Sequence, residues 1–247
     1  MSRYKVLFRG MNTEVWYTDK SIAELAASVG LELRADGLYK DGKRIYIVRR
    51  PFRAFFPRLI GKEGGGSVCR VADGMVSTNW HVADVASTLQ ASPTEAYHVA
   101  WTRLYRPHVM NPVEYLIRRL LNYLFDMPIP ASKYDYAAGT VNTQYQYDTK
   151  PTLIFFAGNC MTRDEKGCIG LALPIPDAPD PGDSIIGMRY KLNCTYWGFQ
   201  TSGAILDRGE ASVYYPGGVA YFDDAYALSF DGDSAIPGCS GSAVEAT

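Results

Sequence analysis

The turn-forming segment at residues 237–242, Pro-Gly-Cys-Ser-Gly-Ser, constrains the fold of this chain more than any other feature. A serine hydroxyl is a poor nucleophile at neutral pH, so reaction at Ser240 requires a nearby base and N–H donors for a developing oxyanion. Gly238 allows the backbone to bend, so that the amides of Gly238 and Ser240 can converge on one point. A fold that uses this turn must also supply the base, and the pattern is typical of hydrolases.

The candidate base is His81, one of three histidines in the chain. Residues 76–82 read Val-Ser-Thr-Asn-Trp-His-Val, which predicts an imidazole at the end of a short apolar strand. The other two, His98 and His108, lack such a context and are interpreted as structural. An early histidine, a late serine turn and carboxylates between them favour a catalytic triad.

This order of motifs resembles the trypsin-like (chymotrypsin-fold) serine proteases. The Pro-Gly-x-Ser-Gly turn is similar to that of positive-strand RNA virus proteases, the sobemovirus-like ones especially. The resemblance covers roughly residues 60–247, and it includes a glycine-led segment at residues 64–71 ahead of the histidine strand. It implies a chymotrypsin-like double β-barrel that uses a Ser-His-Asp triad.

Two carboxylates compete for the third position of the triad. Asp135 opens a small-residue stretch that resembles the family's Asp-x-Ala strand entry, and we favour it. Glu114 has the shorter spacing from histidine that sobemovirus-like enzymes show, but residues 112–125 have the apolar periodicity of a helix. We therefore expect Glu114 to be a solvated helix residue.

The resemblance also assigns the remaining site residues. Some viral relatives use cysteine as the nucleophile, but there it directly precedes the second glycine of the turn, which is the position of Ser240 here. Cys239 would then point away from the base. The amides of Gly238 and Ser240 would form the oxyanion hole, and Ser234 would lie at the base of the substrate pocket. A shift of one residue would place Asp233 there instead.

Composition favours a mainly β protein with many short strands and turns, since the chain has 18 Tyr, 10 Phe and 23 Gly among 247 residues. Residues 1–57 predict a small α+β region with a helix at 19–29 and a hairpin at 38–48 that turns at Asp-Gly. Residues 58–247 form the expected protease domain, with a first barrel over about 60–145 and a second over about 150–247.

The five cysteines are Cys69, Cys160, Cys168, Cys194 and Cys239. They lack the spacing of a disulfide framework or a zinc finger, so we expect free thiols, no metal site and no cofactor. A net charge of −1 gives no global attraction to nucleic acid or an anionic membrane. The sequence shows no signal peptide and no transmembrane run, which predicts a location in the host cytoplasm.

The resemblance implies a serine endopeptidase that processes a viral polyprotein, in cis or in trans. Trypsin-like enzymes have about two further strands after the nucleophile, whereas this chain stops seven residues after Ser240. We therefore expect the C-terminal end of the second barrel to be truncated or completed from elsewhere. The alternative function is a non-catalytic viral structural or replication-complex module on a protease fold.

Overall fold

The computed structural model describes most of the second part of the chain and several strands of the first. The described residues are 4–7, 15–18, 30, 32–34, 37–48, 56–143, 149–156, 159–160, 163–164, 167–168, 170–215, 217–231 and 238–247. Two compact units divide at Phe55 and Phe56, two residues from the predicted boundary. The protein is mainly β, with several antiparallel sheets, as the composition predicted.

The first unit contains one sheet of five strands. Its strands are β1 (Tyr4–Leu7), β2 (Val15–Thr18), β3 (Glu32–Arg34), β4 (Gly37–Lys40) and β5 (Lys43–Val48), in the order β2-β1-β5-β4-β3. Asp41 and Gly42 join β4 to β5 with φ of 50° and 73°. Two positive φ angles at Asp-Gly are the signature of a tight hairpin turn, so the predicted hairpin is present. The helix predicted at 19–29 lies outside the described residues.

The second unit begins with two sheets of four strands. The strands up to residue 140 are β6 (Arg58–Ile60), β7 (Gly65–Gly66), β8 (Cys69–Ala72), β9 (Met75–Thr78), β10 (Thr88–Gln90), β11 (Ala96–His98), β12 (Ala100–Tyr105), β13 (Val109–Met110) and β14 (Tyr136–Thr140). One sheet has the order β11-β10-β6-β7 and the other β12-β14-β9-β8. Apolar side chains from both, including Leu59, Val76, Leu89 and Val99, form one buried cluster. The two sheets therefore enclose a common core.

An eight-stranded sheet holds most of the remaining chain. The later strands are β15 (Leu153–Phe156), β16 (Asn159–Cys160), β17 (Arg163–Asp164), β18 (Gly167–Cys168), β19 (Gly170–Leu173), β20 (Arg189–Cys194), β21 (Phe199–Tyr215), β22 (Gly218–Leu228) and β23 (Ala243–Ala246). The order is β13-β22-β19-β15-β23-β20-β21-β16, and β21 also pairs with β22. The strand β13 joins this sheet although it precedes β14 in sequence. The pair β17–β18 stands apart.

Among the described residues, helices interrupt the sheets at three places. They are α1 (Trp80–Ala83), α2 (Pro112–Phe125) and a 3-10 helix (Gly182–Ile185). The periodicity of residues 112–125 predicted α2 with these bounds. The Asn111 side chain accepts a hydrogen bond from the backbone N–H of Glu114 at 2.8 Å, and Pro112 occupies the first helical position. Both features are strong helix start signals.

Candidate active site

His81 lies in α1, three residues after the end of β9. The sequence predicted it at the end of a strand, but the backbone turns helical after Asn79, whose carbonyl accepts hydrogen bonds from Val82 and Ala83 at 3.2 and 3.1 Å. The His81 side chain is 24% exposed. Part of the imidazole can therefore be reached from solvent.

Asp135 directly precedes β14, and its carboxylate is completely buried. The Asp135 Oδ2 atom lies 2.7 Å from His81 Nδ1, and Oδ1 accepts a hydrogen bond from the His81 backbone N–H at 3.2 Å. An ionised carboxylate can only accept hydrogen bonds, so Nδ1 carries the proton. In the neutral imidazole with this tautomer, Nε2 is the nitrogen that can accept a proton.

Two aromatic rings hold the imidazole in place. The ring of Phe156 lies 4.6 Å from that of His81 between centroids, and the ring of Tyr215 lies edge-on at 5.9 Å. The Tyr215 hydroxyl also donates a short hydrogen bond to Oδ2 of Asp135. That oxygen therefore faces two donors, one from His81 and one from Tyr215. Both rings come from the eight-stranded sheet, whereas His81 and Asp135 flank strands of a four-stranded sheet.

The turn that carries Ser240 is held through its carbonyl groups. Ser67 donates from its side chain to the Gly238 carbonyl at 2.9 Å and from its backbone N–H to the Ser240 carbonyl at 2.8 Å. Ser242 donates from its backbone and hydroxyl to the Cys239 carbonyl at 3.0 and 2.6 Å. Because C=O and N–H of a trans peptide point in opposite directions, the Ser240 N–H is directed away from Ser242.

Asn79 joins the turn of Ser240 to the segments that hold His81 and Asp135. Its Oδ1 atom accepts a hydrogen bond from the Gly241 N–H at 2.6 Å, and its Nδ2 donates to the Asp135 carbonyl at 2.9 Å. Asn79 is completely buried. The three sequence-predicted residues thus belong to one connected cluster: His81 and Asp135 touch directly, and Ser240 is adjacent to the residue that Asn79 binds.

The two glycines of the turn are required by the backbone. Gly238 and Gly241 have φ of 96° and 86°, which side chains of L-residues rarely adopt. A Cβ atom on Gly241 would lie 2.0 Å from Oγ1 of Thr78, and one on Gly238 would lie 2.6 Å from Nε1 of Trp197. The Gly-x-Ser-Gly pattern therefore reflects both the sharp turn and its close packing.

The residues that competed for the acid and the nucleophile, Glu114 and Cys239, have other partners. Glu114 is on α2, where it pairs with Arg118 at 3.7 Å in a solvent-accessible position. The buried Cys239 side chain contacts Cys194, with 3.2 Å between the sulfur atoms. The predicted pocket residue Ser234 lies outside the described residues, as does Asp233.

Sequence reasoning missed Asn79, Ser67 and Tyr215. An asparagine before a helix predicts a side-chain cap, yet the Asn79 side chain makes no cap hydrogen bond and instead reaches Gly241 and Asp135. The Tyr215–Asp135 contact joins the end of β21 to the residue before β14, and no local sequence pattern predicts it. The signal available in the sequence was the polar Asn79, two residues before His81. Its burial is seen only in the structure.

Within the ranges described above, no group of three or more His, Cys, Asp or Glu residues could hold a metal ion. In the same part of the chain, every helix is too short or too polar to cross a membrane. Comparisons with protein-family models, curated proteins and solved structures found no match for this chain.

Proposed function

We propose that this protein is a serine endopeptidase with a chymotrypsin-like double barrel. The observation that carries the proposal is the 2.7 Å contact between Asp135 Oδ2 and His81 Nδ1, beside a serine turn that Asn79 ties to both segments. Two features support a double barrel: the two four-stranded sheets share one core, and a separate eight-stranded antiparallel sheet holds most of the later strands. None of the three triad residues lies in a strand: His81 is in α1, Asp135 directly precedes β14, and Ser240 is in the turn before β23.

In this mechanism Ser240 attacks the peptide carbonyl while Nε2 of His81 takes its proton. Asp135 holds the Nδ1–H tautomer and stabilises the imidazolium that forms. His81 then returns the proton to the leaving amine. The backbone N–H groups of Gly238 and Ser240 stabilise the oxyanion, and the orientation of the Ser240 amide away from Ser242 supports that role.

The substrate we propose is a viral polyprotein, cleaved in cis or in trans in the host cytoplasm. This assignment rests on the resemblance of the turn at 237–242 to positive-strand RNA virus proteases. With Ser234 at the base of the pocket, a buried lysine or arginine head would lack a partner. We therefore expect cleavage after an uncharged residue, whereas cleavage after Lys or Arg would indicate that Asp233 faces the pocket.

The test is cleavage of a peptide library, followed by mass spectrometry, by the full chain and two neighbouring variants. Ser240→Ala should lower turnover by several orders of magnitude without loss of fold, because a serine-based triad acts as a unit. Cys239→Ala should retain most activity, since that thiol contacts Cys194. The reverse ranking would contradict the assignment. Absence of cleavage by all three proteins would favour the non-catalytic alternative.

A further inference from the structure

Two cysteine side chains from distant parts of the chain meet beside the turn that carries Ser240. Cys194 is the last residue of β20, and Cys239 directly precedes Ser240. Both are free thiols and each residue is 1% exposed, with 3.2 Å between the two sulfur atoms. A disulfide bond is about 2 Å long, so the sulfur atoms would need to approach by only about 1 Å to form one.

The position of Cys194 is fixed by the residues on either side of it. Asn193 pairs with Ala243 where β20 runs beside β23. The Thr195 hydroxyl accepts a hydrogen bond from the Val68 N–H at 2.9 Å and donates one to the Val68 carbonyl at 3.2 Å. The end of β20 is therefore held against both neighbouring segments.

The position of Cys239 is fixed in a similar way. Its carbonyl accepts two hydrogen bonds from Ser242, one from the backbone N–H and one from the hydroxyl. The Ser67 hydroxyl donates to the Gly238 carbonyl at 2.9 Å and accepts from the Tyr196 N–H at 3.2 Å, which links the turn to the segment that follows β20. Hydrogen bonds on both segments thus keep the two thiols in contact.

Cys69, another buried free thiol, has a different partner. Its sulfur lies 2.9 Å from the Ser77 hydroxyl, and burial raises the pKa of the thiol to about 11. A thiol with this pKa stays protonated at neutral pH, and a hydroxyl partner cannot form a disulfide with it. Cys69 is therefore an internal control for the pair.

We propose that Cys194 and Cys239 form a disulfide on reaction with a hydroperoxide, and that this bond reversibly inactivates Ser240. Hydrogen peroxide first oxidises one thiol to a sulfenic acid and is itself reduced to water. The second thiol then attacks the sulfenic sulfur, and a second water leaves. Two thiols and one peroxide thus give one disulfide and two waters.

Burial of the two thiols determines the rate of this reaction. Peroxide reaches them only when the surrounding segments open locally, so the first step should be slow. The second step should be fast, because the partner thiol is already in contact. The pair should therefore respond to sustained oxidation and accumulate little sulfenic acid.

The disulfide would displace the two residues that flank Cys239. These are Gly238 and Ser240, whose N–H groups form the oxyanion hole in the proposed function, so this part of the inference rests on that function. The turn has little room to absorb a shift, since a Cβ atom on Gly238 would lie 2.6 Å from Nε1 of Trp197. Misplacing a reacting group by about 1 Å lowers turnover about 100-fold, and we expect a loss of that size.

The test is prolonged incubation of the full chain with hydrogen peroxide, then alkylation of the remaining thiols in denaturant and mass spectrometry of tryptic peptides without reduction. Arg208 lies between the two cysteines, so trypsin separates their peptides. We expect a linked peptide pair that contains Cys194 and Cys239 and is lighter by two hydrogen atoms than the free peptides. Cys69 should be alkylated.

Activity is measured on the same samples by peptide cleavage. It should fall about 100-fold and recover with dithiothreitol, which does not reverse methionine oxidation. Cys194→Ala should keep its activity in peroxide. The matched control Cys69→Ala should lose activity as the unmodified chain does. Circular dichroism checks that both variants are folded.

Three results would overturn the proposal. The first is recovery of Cys194 and Cys239 as separate alkylated peptides after oxidation, and the second is a disulfide between them that leaves cleavage unchanged. The third is equal inactivation of Cys194→Ala by peroxide. If the reduced chain cleaves no peptide and Ser240 takes no fluorophosphonate label, the endopeptidase proposal fails, whereas the linked peptide pair still decides whether the two thiols form a disulfide.

Discussion

The surroundings of His81 and the helix α2 differ in which side chains they bury. Around His81, Phe156 and Tyr215 pack against the imidazole, and the polar atoms of Asp135 and Asn79 are buried and hydrogen-bonded. On α2 the apolar side chains are outside, and the fold holds the helix chiefly through Tyr115. The geometry at His81 is therefore fixed by many long-range contacts, whereas α2 depends on its caps and one anchor.

This difference implies different responses to substitution. A buried polar residue that loses its partner carries the full cost of desolvation, about 1–3 kcal/mol, whereas an exposed one exchanges its partner for water. Changes around His81 should alter catalysis and stability together or catalysis alone. Changes on the outer face of α2 should alter neither.

The largest expected effect in this comparison is at the acid. Asp135→Asn should lower kcat by about 10⁴-fold, because an amide no longer holds the Nδ1–H tautomer of His81. Glu114→Gln on α2 is the matched control and should leave kcat unchanged. Steady-state kinetics on one peptide substrate measures both. A large loss of kcat from Glu114→Gln, with little loss from Asp135→Asn, would show that Glu114 is the triad acid.

A smaller effect is expected at the asparagine that connects the site. Asn79→Ala removes one of the two acceptors of the Gly241 N–H, which also donates to the Phe155 carbonyl, and it removes the donor to the Asp135 carbonyl. It should therefore destabilise the fold by about 1–3 kcal/mol. We also expect a loss of about 100-fold in kcat, since misplacing reacting groups by about 1 Å has that cost.

Asn122→Ala on α2 is the control for this prediction, because Asn122 bonds the Met127 carbonyl at an exposed position. Denaturant unfolding and kinetics on both variants give the comparison. If the two asparagines have equal effects, Asn79 is not the residue that joins the serine turn to the acid.

The smallest expected effect is at the hydroxyl of Tyr215. Tyr215→Phe keeps the ring beside His81 but removes one donor from Asp135, so kcat should fall about tenfold, as for loss of a hydrogen bond to a charged group. Tyr214→Phe is the matched control, since its side chain is 38% exposed. Equal kcat values for the two variants and the unmodified chain would show that the ring alone matters.

Local sequence patterns predicted the local parts of this structure. The bounds of α2 and the hairpin at Asp41 and Gly42 follow from apolar periodicity, helix start signals and turn chemistry, all of which act over a few residues. The motif around Ser240 likewise encodes its own turn, because Gly238 and Gly241 need positive φ.

The contacts between distant segments could not be predicted in the same way. Tyr215 reaches Asp135 across 80 residues, and Gly241 reaches Asn79 across 162. Such pairs depend on how the sheets meet, which no local period encodes. The direction of the α2 face belongs to the same class, since periodicity shows that a helix has an apolar side but not what that side meets.

The most direct test of the central claim is labelling of the full chain with a fluorophosphonate probe, followed by mass spectrometry of the modified peptide. The probe reacts only with an activated serine and requires little of a substrate pocket. We expect a single adduct on Ser240, which disappears in His81→Ala and persists in Leu116→Gln. An unlabelled Ser240 in the folded chain, or labelling that does not depend on His81, would contradict the proposed triad.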